Sequence, residues 1–175
     1  LISDNYVMQF SGASYFSFDG LHIKANGSGF ARCIEFTATN SYIKFSNCTI
    51  EGQEVTTTSN YYHVINDNSG STNQTGNITF ENNTILNGGM AFYIYGYSSS
   101  TPQNGWTITG NTIKNFYYYG LYVYNTKDMV INDNKISTNS ASTYGYGIQL
   151  YYVSGPTRVL RNRITGMAGG AGIYQ

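Results

Sequence analysis

The side chains of this chain that could move protons or hold a ligand fall into two sets. The first is Glu35, His63 and Tyr93. Glycoside hydrolysis asks for two carboxylates about 5–10 Å apart. Glu35 is the one carboxylate placed on the outer face of an alternating strand. Asp67 opens a loop, and Asp19, Asp128 and Asp133 belong to turns elsewhere. Proton transfer beside a substrate carboxylate asks for less, a His or Tyr within reach. His63 with Tyr93 or Tyr122 is the arrangement that offers it. The second set is Tyr93, Tyr95, Tyr122, Tyr124, Tyr151 and Tyr174, joined by Gln149. Tyrosine combines an apolar ring with a polar tip, which suits a binding surface. Three roles stand open for this set: ring stacking within a sheet, contact with a protein neighbour, and a flat strip that holds a neutral glycan.

Metal chemistry is not expected. Cys33, Cys48, His22 and His63 lie scattered, without the spacing of a ligand set, and no cofactor is implied. A disulfide needs Cα atoms within about 7 Å; the repeat described next puts the two cysteines on different walls, so both are expected as free thiols. The 175 residues are 10% charged, with a formal net charge of zero. A nucleic-acid partner would need a basic face, so none is expected. No run approaches the roughly 18 apolar residues of a membrane helix, so no membrane insertion is expected. No signal peptide is visible, and the first residue is Leu. The neutral Thr-, Tyr- and Asn-rich composition leans towards a secreted bacterial protein, extracellular or at the cell surface.

What must position these residues is a repeat. Six segments share one pattern: FSFDGLHI (16–23), IKFSNCTI (43–50), ITFENNTI (78–85), WTITGNTI (106–113), MVINDNKI (129–136) and TRVLRNRI (157–164). Successive terminal Ile residues are 27, 35, 28, 23 and 28 positions apart. Self-similarity in that range marks stacked units. Five before each Ile stands Phe18, Phe45, Phe80, Ile108, Ile131 or Val159; two before it stands Leu21, Cys48, Asn83, Asn111, Asn134 or Asn162. Four Asn in one register predict an amide ladder, with Cys48 buried in the same column.

Between these segments lies a second strand type: YVMQF (6–10), CIEF (33–36), HVIN (63–66), AFYIY (91–95), GLYVY (120–124), GIQLY (147–151) and GIY (172–174). Alternation puts Phe92/Ile94, Leu121/Val123 and Ile148/Leu150 on one face and the tyrosines on the other. The outer face then reads Val7/Gln9, Cys33/Glu35, an undecided third coil, Tyr93/Tyr95, Tyr122/Tyr124, Gln149/Tyr151 and Tyr174. In the third coil one register puts His63 and Ile65 inside; the other puts Val64 and Asn66 inside and His63 out. Long polar loops over 51–62, 67–77, 96–105 and 137–145 should project from the corners beside the tyrosine face, where repeat proteins carry binding insertions.

The Ile-x-x-Asn-x-Ile units at 108–113 and 131–136, with variants at 80–85 and 159–164, resemble the right-handed parallel β-helix (pectin-lyase-like) family. The phrase ASYFSFDGLHI (13–23) resembles repeats of large secreted bacterial surface proteins. The resemblance implies an all-β, right-handed parallel β-helix, a single-stranded β-solenoid of about six coils with an internal Asn ladder. One domain is expected over 1–175, and because no capping segment is visible at either end it is expected to be an excerpt of a longer solenoid or an uncapped stacking unit. The resemblance also implies that a substrate would lie across the tyrosine face. Calcium-assisted lyases of this kind use an acidic cluster, which calcium requires and this sequence lacks; Arg158, Arg161 and Arg163 stand without acidic partners. The leading expectation is a structural or adhesive solenoid whose tyrosine face contacts a polysaccharide or a neighbouring chain; the other expected partner is copies of itself stacked end to end. The alternative is a polysaccharide lyase with key residues partly outside the segment.

Overall fold

In a computed structural model that describes residues 6–67 and 74–175, the repeats stack as coils whose strands form three parallel walls. The first wall is built from Tyr6–Phe10, Arg32–Phe36, His63–Asp67, Met90–Tyr95, Tyr119–Lys127, Tyr146–Ser154 and Ile173–Tyr174. The second takes Ser14–Asp19, Ser41–Ser46, Gly76–Glu81, Thr107–Thr109, Val130–Asn132 and Arg158–Leu160. The third takes His22–Lys24, Thr49–Glu51, Thr84–Leu86, Thr112–Lys114, Lys135–Ser137 and Arg163–Thr165. Each strand pairs in parallel with its counterparts one coil away, as in Ile50↔Ile85 and Ile113↔Ile136. A short strand, Gln103–Asn104, returns a longer loop to the edge of the second wall. No α-helix occurs among the described residues, and no helix there is long and apolar enough to cross a membrane.

Period-2 alternation fills the interior with vertical columns. The terminal Ile residues of the repeats form one, with Ile50, Ile85 and Ile113 sealed from solvent. Phe18, Phe45 and Phe80 form another, their rings stacked at 4.9 and 5.0 Å. Such offset pairs contribute beyond the area they bury.

The corner between the second and third walls has a fixed grammar. Gly20, Asn47, Asn82, Gly110, Asp133 and Arg161 all take left-handed backbone angles, φ between 54° and 70°. Glycine, Asn and Asp tolerate that region; Arg161 sits there too and, against the expectation that it lacks an acidic partner, its guanidinium grips Asp133, one coil away at the same corner, through two bonds of 2.7 and 2.8 Å. From the second coil on, the next residue turns inward. The Asn83 amide N–H and Nδ2 both donate to Asn111 Oδ1, at 2.9 and 3.0 Å. Asn111 treats Asn134 Oδ1 the same way, and Asn134 treats Asn162 Oδ1. Each Nδ2 also donates to a carbonyl one coil back: Phe45, Phe80, Ile108 and Ile131 in turn. Cys48 ends the column; its N–H donates to Asn83 Oδ1 at 2.8 Å. Every buried amide there finds a partner, as burial demands.

Both cysteines are buried and unbridged. Asn47 and Asn77, each the first residue of an Asn-x-Thr triplet, take left-handed backbone angles, Asn47 at a bend and Asn77 near the start of the strand Gly76–Glu81. Residues 68–73 of the loop expected over 67–77 lie outside the described residues. Asp67 is not the start of that loop but the buried last residue of its strand.

Candidate functional site

Strict alternation fails on the first wall. Two successive residues of each strand are buried: Cys33 and Ile34, Val64 and Ile65, Ala91 and Phe92, Gly120 and Leu121, Gly147 and Ile148. The first of each pair stands at the corner, directed at the Ile column of the third wall. A Cβ on Gly120 would meet Ile136 Cγ2 at 2.9 Å, and one on Gly147 would meet Ile164 Cγ2 at 2.4 Å. That is why the position holds Gly, Ala or Cys in most coils. Cys33 is therefore not an outer-face residue, contrary to the alternation pattern: its thiol donates to the Glu51 carbonyl at 3.1 Å, and burial pushes its pKa up to about 12. The same feature resolves the third coil. Neither register holds; Val64 and Ile65 both face in, and His63 and Asn66 share the outer side.

With that correction the outer face carries three rows along the axis. One runs Arg32, His63, Met90, Tyr119, Tyr146; the next Glu35, Asn66, Tyr93, Tyr122, Gln149, Tyr174; the last Tyr95, Tyr124, Tyr151. Tyr6 and Gln9 precede them in the first coil, paired with Arg32 and Glu35; Val7, expected on this face, stands level with Cys33 instead, because the same two inward positions break the alternation there. Arg32, Asn66, Tyr119 and Tyr146 were not singled out from the sequence. Their signal is a three-residue spacing, as in Arg32/Glu35, His63/Asn66, Tyr119/Tyr122 and Tyr146/Gln149, set by the two inward residues between.

The lower half of this face is polar and closed. Arg32 grips the Glu35 carboxylate through Nη1, and Gln9 Nε2 reaches the other oxygen at 3.5 Å. The Arg32 Nε–H donates to the Asn60 carbonyl at 3.0 Å. His63 Nδ1 lies 3.0 Å from Asn66 Oδ1, and its ring packs 4.7 Å from Tyr93. His63 is only 1% exposed, and its Nε2 has no hydrogen-bond partner. Burial, with the Arg32 charge adding to it, lowers its pKa to about 4; the bond to Asn66 opposes the fall. His63 is neutral at pH 7, with Nδ1 held against Asn66. Glu35 faces outward as expected, but as half of an ion pair. Among the described residues no three His, Cys, Asp or Glu groups gather as metal ligands would.

The upper half is aromatic. Tyr93 stacks on Tyr122 at 5.3 Å with planes 6° apart, and Tyr95 on Tyr124 at 4.7 Å and 5°. Within a strand, Tyr93 and Tyr95 lie 5.8 Å apart at 3°. Tyr119 and Tyr146 repeat the arrangement at 5.5 Å. Tyr151 turns edge-on to Tyr122, Tyr124 and Tyr174. Tyr93, Tyr95, Tyr122 and Tyr124 thus turn ring faces towards neighbours one coil away, and there the wall presents ring edges and hydroxyls rather than a flat apolar strip. Burial, with neighbouring tyrosines adding to it, pushes Tyr93 and Tyr122 up to about 12. These phenols stay protonated and act as hydrogen-bond donors and acceptors. Gln149 is nearly covered, 3% exposed, beneath them.

A family model described as a right-handed beta helix region matches residues 32–175. No curated protein and no solved structure matches the chain.

Proposed function

This chain belongs to the right-handed β-helix family, and on that premise we propose that it is an extracellular structural and adhesive solenoid whose first wall contacts a neutral polysaccharide. The observation that carries this reading is the alignment of tyrosine edges over successive coils, Tyr93–Tyr122 and Tyr95–Tyr124 above all. A row of phenol hydroxyls repeating at the strand spacing, about 4.8 Å, offers donors and acceptors along the axis. The charges on this face, Arg32 and Glu35, neutralise each other, so neither sign of polymer is drawn to it. Lyase chemistry at this wall fits poorly, because the one ring nitrogen left for a base is buried on His63. The test is retention of the protein on insoluble neutral glucans and on chitin. Wild type is retained and the Tyr95→Ser/Tyr124→Ser double variant is released. Equal retention of both, or none of either, overturns the reading.

A second reading, self-association, draws on apolar residues exposed on the first and last described coils, Phe16 and Leu21 at one end and Leu160 and Ile173 at the other. A further coil of the same kind, from the same polypeptide or from another copy, would cover them. Sedimentation at increasing concentration checks it, and a constant monomer mass overturns it.

A further inference from the structure

We propose that the corner between the third and first walls is a binding groove for a short neutral oligosaccharide, separate from the tyrosine wall and independent of its role. Two clefts meet there, of about 420 and 370 Å³, and both are lined by Glu54. Ligand sites of that size hold small molecules of a few rings. The first cleft lies between the insertion that follows the second coil and two later corners, with Asn115, Tyr117, Asn139 and Ser140 along it. The second continues past Glu54 to Gln53, Asn87 and Glu51.

Chemistry selects the occupant. Amides, hydroxyls and a carboxylate suit a polyol: an amide donates to one hydroxyl and accepts from the next, and a carboxylate accepts from two. Gln53 Oε1 is buried without a hydrogen-bond partner. Tyr117 adds an aromatic surface for the C–H face of a sugar. Among the described residues no other aromatic ring stacks on it, whereas the wall tyrosines cover one another. Charge narrows the class further. Lys24 is paired with Glu51 at 2.8 Å, and no cation pairs with Glu54 among the described residues. The groove keeps net negative character and repels a uronate or sulfated chain.

The groove is also built rigidly, which lowers the cost of ordering it on binding. The Tyr117 N–H donates to Gly88 O at 2.9 Å, and the Tyr117 carbonyl accepts from Ser140 Oγ at 2.7 Å. Gly88 N–H donates to Gln53 O at 2.9 Å, and Asn87 Nδ2 to Gly52 O at 3.2 Å, fixing the insertion to the next coil. Gly89 lets the insertion pass close: a Cβ there would sit 2.6 Å from Thr57 O.

Calorimetric titration with cellotetraose, chitotetraose, maltotetraose and mannotetraose tests the proposal, with tetragalacturonate as the charged comparison. At least one neutral tetrasaccharide binds, and tetragalacturonate binds at least about tenfold more weakly. Tyr117→Ala and the exposed, fold-neutral Glu54→Gln each weaken binding by about tenfold, the loss of one aromatic or charge-assisted contact. Tyr95→Ser/Tyr124→Ser leaves it unchanged, which separates this groove from the wall. The proposal is overturned if no neutral tetrasaccharide binds at millimolar concentration. It is equally overturned if both groove variants bind as wild type does, or if tetragalacturonate binds as tightly as the neutral sugars.

Discussion

Two corners of the same coil have opposite characters. Between the second and third walls, one left-handed residue recurs in every coil and one inward residue from the second coil on, and the inward amides satisfy one another from Asn83 to Asn162. Between the third and first walls, insertions of differing length interrupt the stack and leave carboxylate, amide and phenol groups facing open clefts. Strict repetition consumes polar groups in holding coils together. Broken repetition leaves them for something else.

The sharpest way to break the contrast is at the ladder. Asn111→Leu leaves the Asn83 N–H, the Phe80 carbonyl and Asn134 Oδ1 short of a buried partner. Each such loss costs about 1–3 kcal/mol, so denaturant melts should show a loss of about 3 kcal/mol or more. A shift under 1 kcal/mol would mean that the corner backbone holds without its amides. The next effect is pH-dependent and sits on the first wall. His63 has a folded pKa of about 4 against an ordinary 6.5. The unfolded chain therefore binds the extra proton first, and stability falls as pH drops from 6.5 towards 4. Urea midpoints across that window should show the fall in wild type and a shallower one in His63→Gln. Parallel curves would mean that His63 protonates freely in the folded state.

Removing one ring of the wall comes third. Tyr122→Ala loses stacking on Tyr93 and contacts with Tyr119 and Tyr124, and ring pairs contribute about 0.5–1.5 kcal/mol each. Thermal melting should drop by several degrees, less than for Asn111→Leu. Smallest is Glu54→Gln, an exposed change expected within about 0.5 kcal/mol of wild type. A large effect there would show the insertion to be part of the scaffold, and the contrast between corners would weaken.

The ladder corner was legible in the sequence because one spacing forces the same contact in every coil. Ile85, Ile113 and Ile136 recur two residues after Asn83, Asn111 and Asn134, and one contact rule serves them all. The first wall was legible only where alternation survives. It placed Tyr93, Tyr122 and Gln149 outward, as they are, and misplaced Cys33, because two inward residues in succession defeat a period of two. Ring orientation was not legible either. Alternation says which side a tyrosine lies on, while the distance to the next coil decides that it stacks on Tyr122 rather than lying flat. The corner groove was out of reach for a different reason: no periodicity dictates the path of residues 52–62, so Glu54 and Tyr117 carried no mark of their meeting.

The direction of the backbone hydrogen bonds has a mechanical consequence. In all three walls they run along the axis, from each coil to the next. Tension applied along that axis loads the bonds between any two coils together, while successive coil junctions bear the same force in series. The weakest junction therefore sets the strength of the whole rod, and lengthening the rod adds reach without adding resistance. A sideways squeeze meets instead the packed Phe and Ile columns, which barely compress. Such a rod is stiff against crushing and yields by peeling one turn at a time.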